Sequence, residues 1–191
     1  PEDLRGSDAE LALELRERII ASVEAYGLDL ESGWGCFLSG GTDSSSIVSI
    51  LSRRLGRGRV KSFSIGFAEA EYDELDYARI AAEACGAVPT VSRVSREQAQ
   101  ALVDRVIDDY DQPFANASAI PSIACADLAR TNGVRTMLAG DGGDEIFGGN
   151  QRYAKDRVME AWYSLPSPVR SLGLAVGNLV GGGSSHFLNR V

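Results

Sequence analysis

A chain of 191 residues with 44% hydrophobic side chains is long enough to build one α/β domain with a sizeable core. Its formal net charge of −8 argues against a nucleic-acid backbone as the main partner, because phosphate groups would be repelled. The longest uncharged and mostly apolar stretch, Ser171 to Phe187, is interrupted by glycines and polar residues, so we expect no membrane-spanning segment.

The cysteines and the histidine limit the redox and metal chemistry. Cys36, Cys85 and Cys125 lie far apart without C-x-x-C spacing, and the single histidine, His186, cannot complete a zinc cluster with them. Unpaired thiols suit a reducing compartment, and Pro1 to Asp8 lacks the features of a secretory signal. We therefore expect a cytoplasmic protein.

Strand-like and helix-like segments alternate along the chain. Leu11, Leu15 and Ile19 recur at helical spacing, whereas Phe63 and Ile65 alternate as in a strand. The predicted elements, in chain order, are a helix over Asp8–Tyr26, a strand over Trp34–Leu38, a helix over Ile47–Leu55, a strand over Val60–Phe67, a helix over Tyr72–Cys85, a strand over Val88–Val94, a helix capped by Ser95, a helix over Ile120–Thr131, a strand over Arg135–Ala139, a helix over Gln151–Tyr163 and a short helix over Ser171–Val180. This order predicts an α/β fold with an open, mainly parallel, Rossmann-like sheet and helices on both faces.

The first stretch with chemical character follows the first predicted strand and reads FLSGGTDSSS, from Phe37 to Ser46. Gly40 and Gly41 allow a tight turn and a close approach of a ligand to the backbone. The helix that follows offers unpaired N–H groups at its start, and Ser44 and Ser45 add hydroxyl donors. The pattern predicts a phosphate-binding loop.

The carboxylate of Asp43 points to a metal in the same loop. It would repel a phosphate unless Mg²⁺ lies between them, and Mg²⁺ is commonly held by one or two carboxylates together with phosphate oxygens. No lysine follows Gly41, so the loop is not a Walker A motif, which needs G-x-x-x-x-G-K-S/T. The alternative is an ordinary turn in which Asp43 and Ser44 cap the helix.

A second glycine-rich loop, Gly140 to Glu145, follows the last predicted strand. Its carboxylates, Asp141, Asp144 and Glu145, repel one another unless a cation offsets them, and Mg²⁺ bound to ATP is the candidate cation. Asp144 would then share the metal with Asp43, and Asp141 would stabilise a cationic nucleophile or accept a proton. The alternative is a merely solvated acidic turn. Because ligands of open parallel sheets bind beyond the carboxyl ends of the strands, we expect both loops to face one ligand.

Five motifs carry a resemblance to a known family: SGGTDSS, FSIGF, YDELDYARIAAEACG, DQPFANASAIP and GDGGDEIFGGNQRY. Their order and rough spacing resemble those of the synthetase domain of glutamine-hydrolysing asparagine synthetases, in the ATP pyrophosphatase (PP-loop) superfamily. The resemblance covers roughly Leu11 to Tyr163, and the wider family includes β-lactam synthetases and lasso-peptide cyclases. It implies an adenine nucleotide α-hydrolase-like fold.

The resemblance also implies an ATP- and Mg²⁺-dependent ligase. A carboxylate, with aspartate favoured, would attack the α-phosphorus of ATP to give an acyl-adenylate and pyrophosphate. Ammonia from a glutaminase domain would then displace AMP and form the amide. By the same resemblance, Asp141, Asp43 and Asp144 would be catalytic, and Asp43 and Asp144 would bind the metal. The residues implied to bind the nucleotide are Phe37, Leu38, Ser39, Gly40, Gly41, Asp43, Ser44, Ser45, Ile65, Gly66, Ala139 and Gly140.

The chain departs from the family pattern at several of these positions. Ala139 stands where serine is usual, and Asp141 stands where glutamate is usual, which shortens the side chain by one methylene. The family's downstream catalytic lysine has no counterpart, because Lys61 and Lys155 lie elsewhere. Further departures are Thr42 for leucine, Gln112 for glutamate, Asn116 for aspartate and Asn150 for tyrosine.

We expect residues 1–191 to form a single ATP-pyrophosphatase synthetase domain that is incomplete at its C-terminus and lacks the N-terminal glutaminase domain. A homodimer of the full-length protein stays open. Three other functions stay open as well: a divergent ligase that amidates or cyclises another carboxylate, a non-catalytic nucleotide-binding domain, and a pyrophosphatase related to NAD or GMP synthetases.

Overall fold

The computed structural model describes residues 5–26, 33–67, 75–112, 116, 118–148 and 151–171. The chain divides into two compact units, Pro1–Asp141 and Gly142–Val191. That both units belong to a single synthetase domain stays a prediction.

A four-stranded parallel sheet with strand order β3-β2-β1-β4 forms the centre of the first unit. Cys36 of the central strand pairs with Ser62 on one side and with Leu138 on the other. The strands are β1 (Trp34–Phe37), β2 (Lys61–Phe67), β3 (Val88–Val94) and β4 (Thr136–Leu138). Parallel pairing brings the carboxyl ends of all four strands to one edge, and the predicted open parallel sheet is confirmed.

Helices cover both faces of this sheet, as predicted. The helices of the first unit are α1 (Asp8–Glu24), α2 (Thr42–Leu55), α3 (Leu75–Cys85), α4 (Arg96–Asp109) and α5 (Ala119–Thr131). One buried cluster, here called the α2-side core, comprises Val23, Trp34, Cys36, Leu38, Val48, Leu51, Val60, Ala78 and Ala82. The other, here called the α5-side core, comprises Phe63, Cys125, Ala129 and Val134.

The second unit is helical in the part that the structure describes. It contains α6 (Gly143–Phe147) and α7 (Gln151–Tyr163), and residues 167–171 are also helical. The guanidinium of Arg170 lies 5.8 Å from the centroid of the Tyr163 ring. Across the described residues of both units, no helix is long and apolar enough to cross a lipid bilayer.

Most predicted bounds agree within one or two residues, and two predictions differ from the structure by more. The helix predicted from Ile47 begins at Thr42. The residues of its first turn have only modest helix propensity, so the sequence does not indicate this start, but Asp43 gains from the positive end of the helix dipole. The second glycine-rich loop contains α6, because Gly142 and Gly148 both have left-handed backbone, at φ of +90° and +72°, and bracket a short helix. The predictions for residues 72–74 and for those beyond 171 lie outside the described residues.

Candidate functional site

Ser39, Gly40 and Gly41 connect β1 to α2 at the carboxyl edge of the sheet. The Ser39 N–H donates to Oγ of Ser44 at 3.3 Å, and the hydroxyl oxygens of Ser39 and Ser44 are 3.1 Å apart. The Gly41 N–H donates to Oγ of Ser39 at 3.2 Å. These bonds fold the loop back onto the first turn of α2.

The N-terminus of α2 is built differently from those of α1 and α4. Ser7 and Ser95 cap α1 and α4 through reciprocal capping boxes. The N-cap of α2 is Gly41, and no side chain of the described residues caps this helix. The first intrahelical bond runs from the Ser45 N–H to the Gly41 carbonyl at 3.1 Å, so the N–H groups before it have no acceptor within the helix. Such an N-terminus favours a bound anion.

The loop backbone packs directly on the first turn of α3. Gly40 has φ of +87°, and a Cβ atom at this position would lie 2.4 Å from the carbonyl carbon of Tyr77 and 2.7 Å from the nitrogen of Ala78. Only glycine fits, because any side chain would meet both a strained backbone and a collision. The backbone of α3 therefore limits how closely the loop can approach this helix.

The segment after β4 makes a second close approach. A Cβ atom at Gly140 would lie 2.8 Å from the nitrogen of Ser44 and 3.0 Å from Cβ of Asp43. The two glycine-rich segments predicted to converge therefore meet at Gly140 and the first turn of α2. Asp141 follows directly and is exposed.

A cavity of about 720 Å³ opens beside the loop. Its walls come from the ends of β1 and β2, from α3 and α4, and from the first turns of α5. The lining residues are Phe37, Leu38, Ser39, Phe63, Ser64, Ile65, Phe67, Leu75, Ala78, Arg96, Ala99, Ser118, Ile120, Pro121, Ser122 and Cys125. Its size and largely apolar walls are typical of small-molecule and cofactor sites.

The predicted nucleotide-binding residues divide between several locations. Phe37, Leu38, Ser39 and Ile65 line the cavity, while Gly66 is buried in β2 between two lining residues. Gly40, Gly41, Asp43 and Ser44 form the loop and the first turn of α2, and Ala139 and Gly140 follow β4.

The side chain of Ser45, also in the first turn of α2, faces a different cavity. It lines a second cavity, of about 620 Å³, between α1, α2 and α3. Its Oγ is buried and has no hydrogen-bond partner among the described residues. The structure thus brings Ser39 and Ser44 together but does not bring the Ser45 hydroxyl to them.

The acidic residues fit Mg²⁺ only in part. No group of three or more His, Cys, Asp or Glu side chains in the described part of the chain is gathered to hold a metal. Asp43, half-buried at an uncapped helix N-terminus, still suits Mg²⁺, which needs only one or two carboxylates beside phosphate oxygens and waters. Asp144 and Glu145 belong to the second unit, in the first turn of α6. That Asp144 shares the metal with Asp43 stays a prediction.

Two parts of the site were missed from the sequence. The α5 wall, with Ser118, Pro121 and Ser122, belongs to the motif DQPFANASAIP or follows it, but its residue types do not indicate that it faces the strand ends. The other part is Ser64, which is buried and donates its hydroxyl hydrogen to the Leu38 carbonyl at 2.5 Å. That contact spans 26 residues along the chain, beyond the reach of local pattern.

Burial raises the pKa of the Cys36 thiol to about 12 and the pKa of the Cys125 thiol to about 12. Cys125 lines the cavity, but a thiol with this pKa stays protonated near neutral pH. Since the thiolate is the nucleophile, Cys125 contributes a small apolar surface rather than covalent chemistry.

Comparison with known proteins reveals relatives of this chain. Residues 14–183 match the family model described as asparagine synthase. Asparagine synthetase (glutamine-hydrolyzing) 1 of Bacillus subtilis is 33% identical over 168 residues, which cover 87% of this chain and 26% of that protein. Amidase chry2 of Gibberella zeae is 28% identical over 181 residues, which cover 86% of this chain and 26% of that protein.

Among solved structures, a glutamine-dependent NAD+ synthetase from Acinetobacter baumannii in complex with ADP aligns with a TM-score of 0.49 at 15% identity, over 71% of this chain and 27% of that chain. The chain thus spans only 26% of the length of the two curated relatives above. The family match nevertheless runs through β1, the loop that follows it, the cavity walls and the segment after β4. Because it extends over residues 14–183, the chain belongs to the asparagine synthase family.

Proposed function

We propose that this chain is the nucleotide-binding synthetase part of an ATP-dependent amide-forming ligase, with aspartate as the favoured acceptor. The observation that carries the proposal is the Ser39–Gly41 loop, which leads from β1 into the uncapped N-terminus of α2 beside the 720 Å³ cavity. Membership of the asparagine synthase family supports ATP as the nucleotide. The apolar cavity would take the adenosine, and the start of α2 would take the phosphates.

The first step would join the acceptor to AMP. A carboxylate oxygen bonds to the α-phosphorus of ATP while the bond from that phosphorus to the bridging oxygen breaks, and pyrophosphate leaves. The N–H groups at the start of α2 would stabilise the charge that accumulates on the leaving group. Mg²⁺, when bound, would neutralise phosphate charge, and Asp43 would hold it.

The second step would form the amide. The nitrogen of ammonia bonds to the acyl carbon, the bond from that carbon to the AMP oxygen breaks, and Asp141 would accept the proton that the nitrogen loses. A glutaminase domain would supply the ammonia, as the name of the glutamine-hydrolysing relative suggests. We further propose a cytoplasmic location, in line with the unpaired Cys36, Cys85 and Cys125.

The decisive test is pyrophosphate release by the natural polypeptide that carries this sequence. With MgATP, aspartate and ammonia, we expect Asp43→Ala to lower the rate by about 100-fold, the order seen when one group that stabilises a transition state is removed. Asp108→Ala is the matched control, because Asp108 is an exposed carboxylate on α4 outside the loop and the cavity lining. Equal rates for both variants would remove the assigned role of Asp43.

A divergent acceptor is the second candidate. Asp141 is one methylene shorter than the usual glutamate, so the position of the proton acceptor differs by about 1 Å. Ala139 lacks the usual hydroxyl and so removes one side-chain contact. The relative named amidase chry2, whose name does not mention asparagine, is compatible with a substrate other than aspartate. Pyrophosphate release that needs aspartate would favour the first candidate, and release only with another carboxylate would favour the second. ATP binding without release under any condition would indicate a non-catalytic domain.

A further inference from the structure

Strand β2 carries two buried serines in different hydrogen-bonding states. Ser62 and Ser64 lie two residues apart on one face of the strand, with 0% and 6% of their surface exposed. The Ser62 hydroxyl has no hydrogen-bond partner among the described residues. The Ser64 hydroxyl donates to the Leu38 carbonyl at 2.5 Å. Only Ser64 therefore reaches the segment that leads into the loop.

The contact with Ser64 fixes one particular peptide unit. The Leu38 carbonyl and the Ser39 N–H belong to the same planar peptide, so they turn together. Ser64 holds the carbonyl from the β2 side, and Oγ of Ser44 accepts the Ser39 N–H at 3.3 Å from the α2 side. The Leu38 N–H also donates to the Phe63 carbonyl at 3.0 Å. The residue before the loop is thus anchored at both of its backbone polar groups.

The backbone pairing of β1 with β2 does not provide a donor for the Leu38 carbonyl. The residue pairs between β1 and β2 end at Phe37 and Phe63, one residue before the carbonyl in question. Leu38 is 2% exposed, so its carbonyl without the Ser64 hydroxyl would be buried and lack this donor. A buried carbonyl without a donor is costly, and rotation of the peptide would relieve that cost. The same rotation would turn the Ser39 N–H away from Ser44 and loosen the turn against α2.

We propose that Ser64 is a positioning residue for the phosphates of the nucleotide, which it serves without contacting them. Its hydroxyl holds the Leu38–Ser39 peptide, and through it the turn at Gly40 and Gly41, in the orientation that presents the N-terminus of α2 to an anion. This inference rests on the proposed function, because it takes the loop to be the phosphate site.

The proposal predicts an effect confined to ligands that carry phosphate. In Ser64→Ala we expect the affinity for α,β-methylene-ATP with Mg²⁺ to fall by about five- to ten-fold, the order expected for one lost hydrogen bond. Adenosine, which carries no phosphate, should keep its affinity within about two-fold, because alanine preserves the cavity wall. Ser64→Thr retains the hydroxyl and should restore the ratio of the two affinities.

The measurement is calorimetric titration of the natural polypeptide with each ligand. Ser62→Ala is the matched control, because it removes a buried serine hydroxyl from the same strand face but breaks no hydrogen bond within the described residues. We expect it to bind both ligands like the wild-type protein. If Ser64→Ala does not fold, Ser64→Cys, with a weaker donor of similar shape, should show the same selective loss in smaller measure, and wild-type affinity for the ATP analogue in that variant would overturn the proposal.

The outcomes separate this inference from the proposed function. A wild-type protein that binds the ATP analogue, together with a Ser64→Ala variant that binds it equally well, would overturn the role of Ser64 alone. Equal losses for the ATP analogue and for adenosine would also overturn it, since they would indicate a general effect on the cavity. A wild-type protein that binds neither ligand would overturn the proposed function and this inference with it.

Discussion

Two glycines of the first unit share a left-handed backbone but differ in what surrounds them. Gly40 has φ of +87° and Gly58 has φ of +78°. A Cβ atom at Gly58 would meet nothing within 4 Å, whereas one at Gly40 would lie 2.4 Å from the backbone of Tyr77. A substitution at Gly58 therefore measures the cost of backbone strain alone, whereas one at Gly40 measures backbone strain together with a steric clash.

We expect Gly58→Ala to lower the free energy of unfolding by about 1–2 kcal/mol, the cost of a left-handed alanine. Gly40→Ala should cost a further amount of about 1–3 kcal/mol, because α3 must move to admit the methyl group. Urea denaturation measures both values. We also expect only Gly40→Ala to weaken ATP binding, and a similar cost for the two variants would mean that α3 yields without strain.

The helices of the first unit differ in how the N–H groups of their first turns are bonded, and α5, with Ser118 as its N-cap, lacks a side-chain cap just as α2 does. In α1 the Ser7 side chain accepts the Glu10 N–H, and in α4 the Ser95 side chain accepts the Gln98 N–H. These bonds stabilise the start of each helix. The N-cap of α2 is Gly41, which has no side chain, so the first N–H groups of this helix have no side-chain acceptor among the described residues. A serine at that position would compete with an anion for the same donors. Under the proposed function, the N–H groups left without a side-chain cap at the start of α2 would bind the phosphates.

The cap of α4 is open to a direct test. The Ser95 Oγ accepts the Gln98 N–H at 3.3 Å, and the Gln98 side chain accepts the Ser95 N–H at 2.8 Å. We expect Ser95→Ala to lower the free energy of unfolding by about 1 kcal/mol, while Ser95→Thr, which keeps the oxygen, should cost less. Chemical denaturation of both variants decides the matter, and an unchanged stability in Ser95→Ala would show that tertiary packing alone holds this helix start.

Across the whole chain, the local sequence pattern predicts those features that depend only on residues close together in the sequence. The bounds of β3 and the cap at Ser95 agree with the structure, because alternation and cap chemistry are local. The start of α2 at Thr42 differs from the predicted start at Ile47, because the first turn has weak helix propensity and the favourable position of Asp43 at the helix N-terminus outweighs it. The bond from Ser64 to Leu38 depends on tertiary packing, so no local pattern could have indicated it. The approach of Gly140 to Asp43 agrees with the predicted convergence of the two glycine-rich segments at one edge of the parallel sheet.

The stability of the whole molecule should also depend on alkaline pH. Burial raises the pKa of Cys36 and of Cys125 from 9.0 to about 12. Above pH 9 the unfolded chain releases these protons and the folded protein keeps them, so the free energy of unfolding falls as the pH rises toward 12. We expect the slope to be steeper than in a variant with both Cys36→Ala and Cys125→Ala, by up to about 1.4 kcal/mol per pH unit for each thiol. Equal slopes would mean that the thiols ionise alike in both states.

The same two thiols lie in different layers of the first unit, Cys36 in the α2-side core and Cys125 in the α5-side core. An alkylating reagent reaches Cys36 only when the α2-side core opens, whereas Cys125, which is 4% exposed, can also be reached from the cavity that it lines. Equal labelling rates would mark the sheet and its helices as a single cooperative unit. Faster labelling of Cys125 that persists when the cavity is filled by a ligand would show that α5 detaches while the α2-side core stays closed, and would give the order in which the two layers unfold.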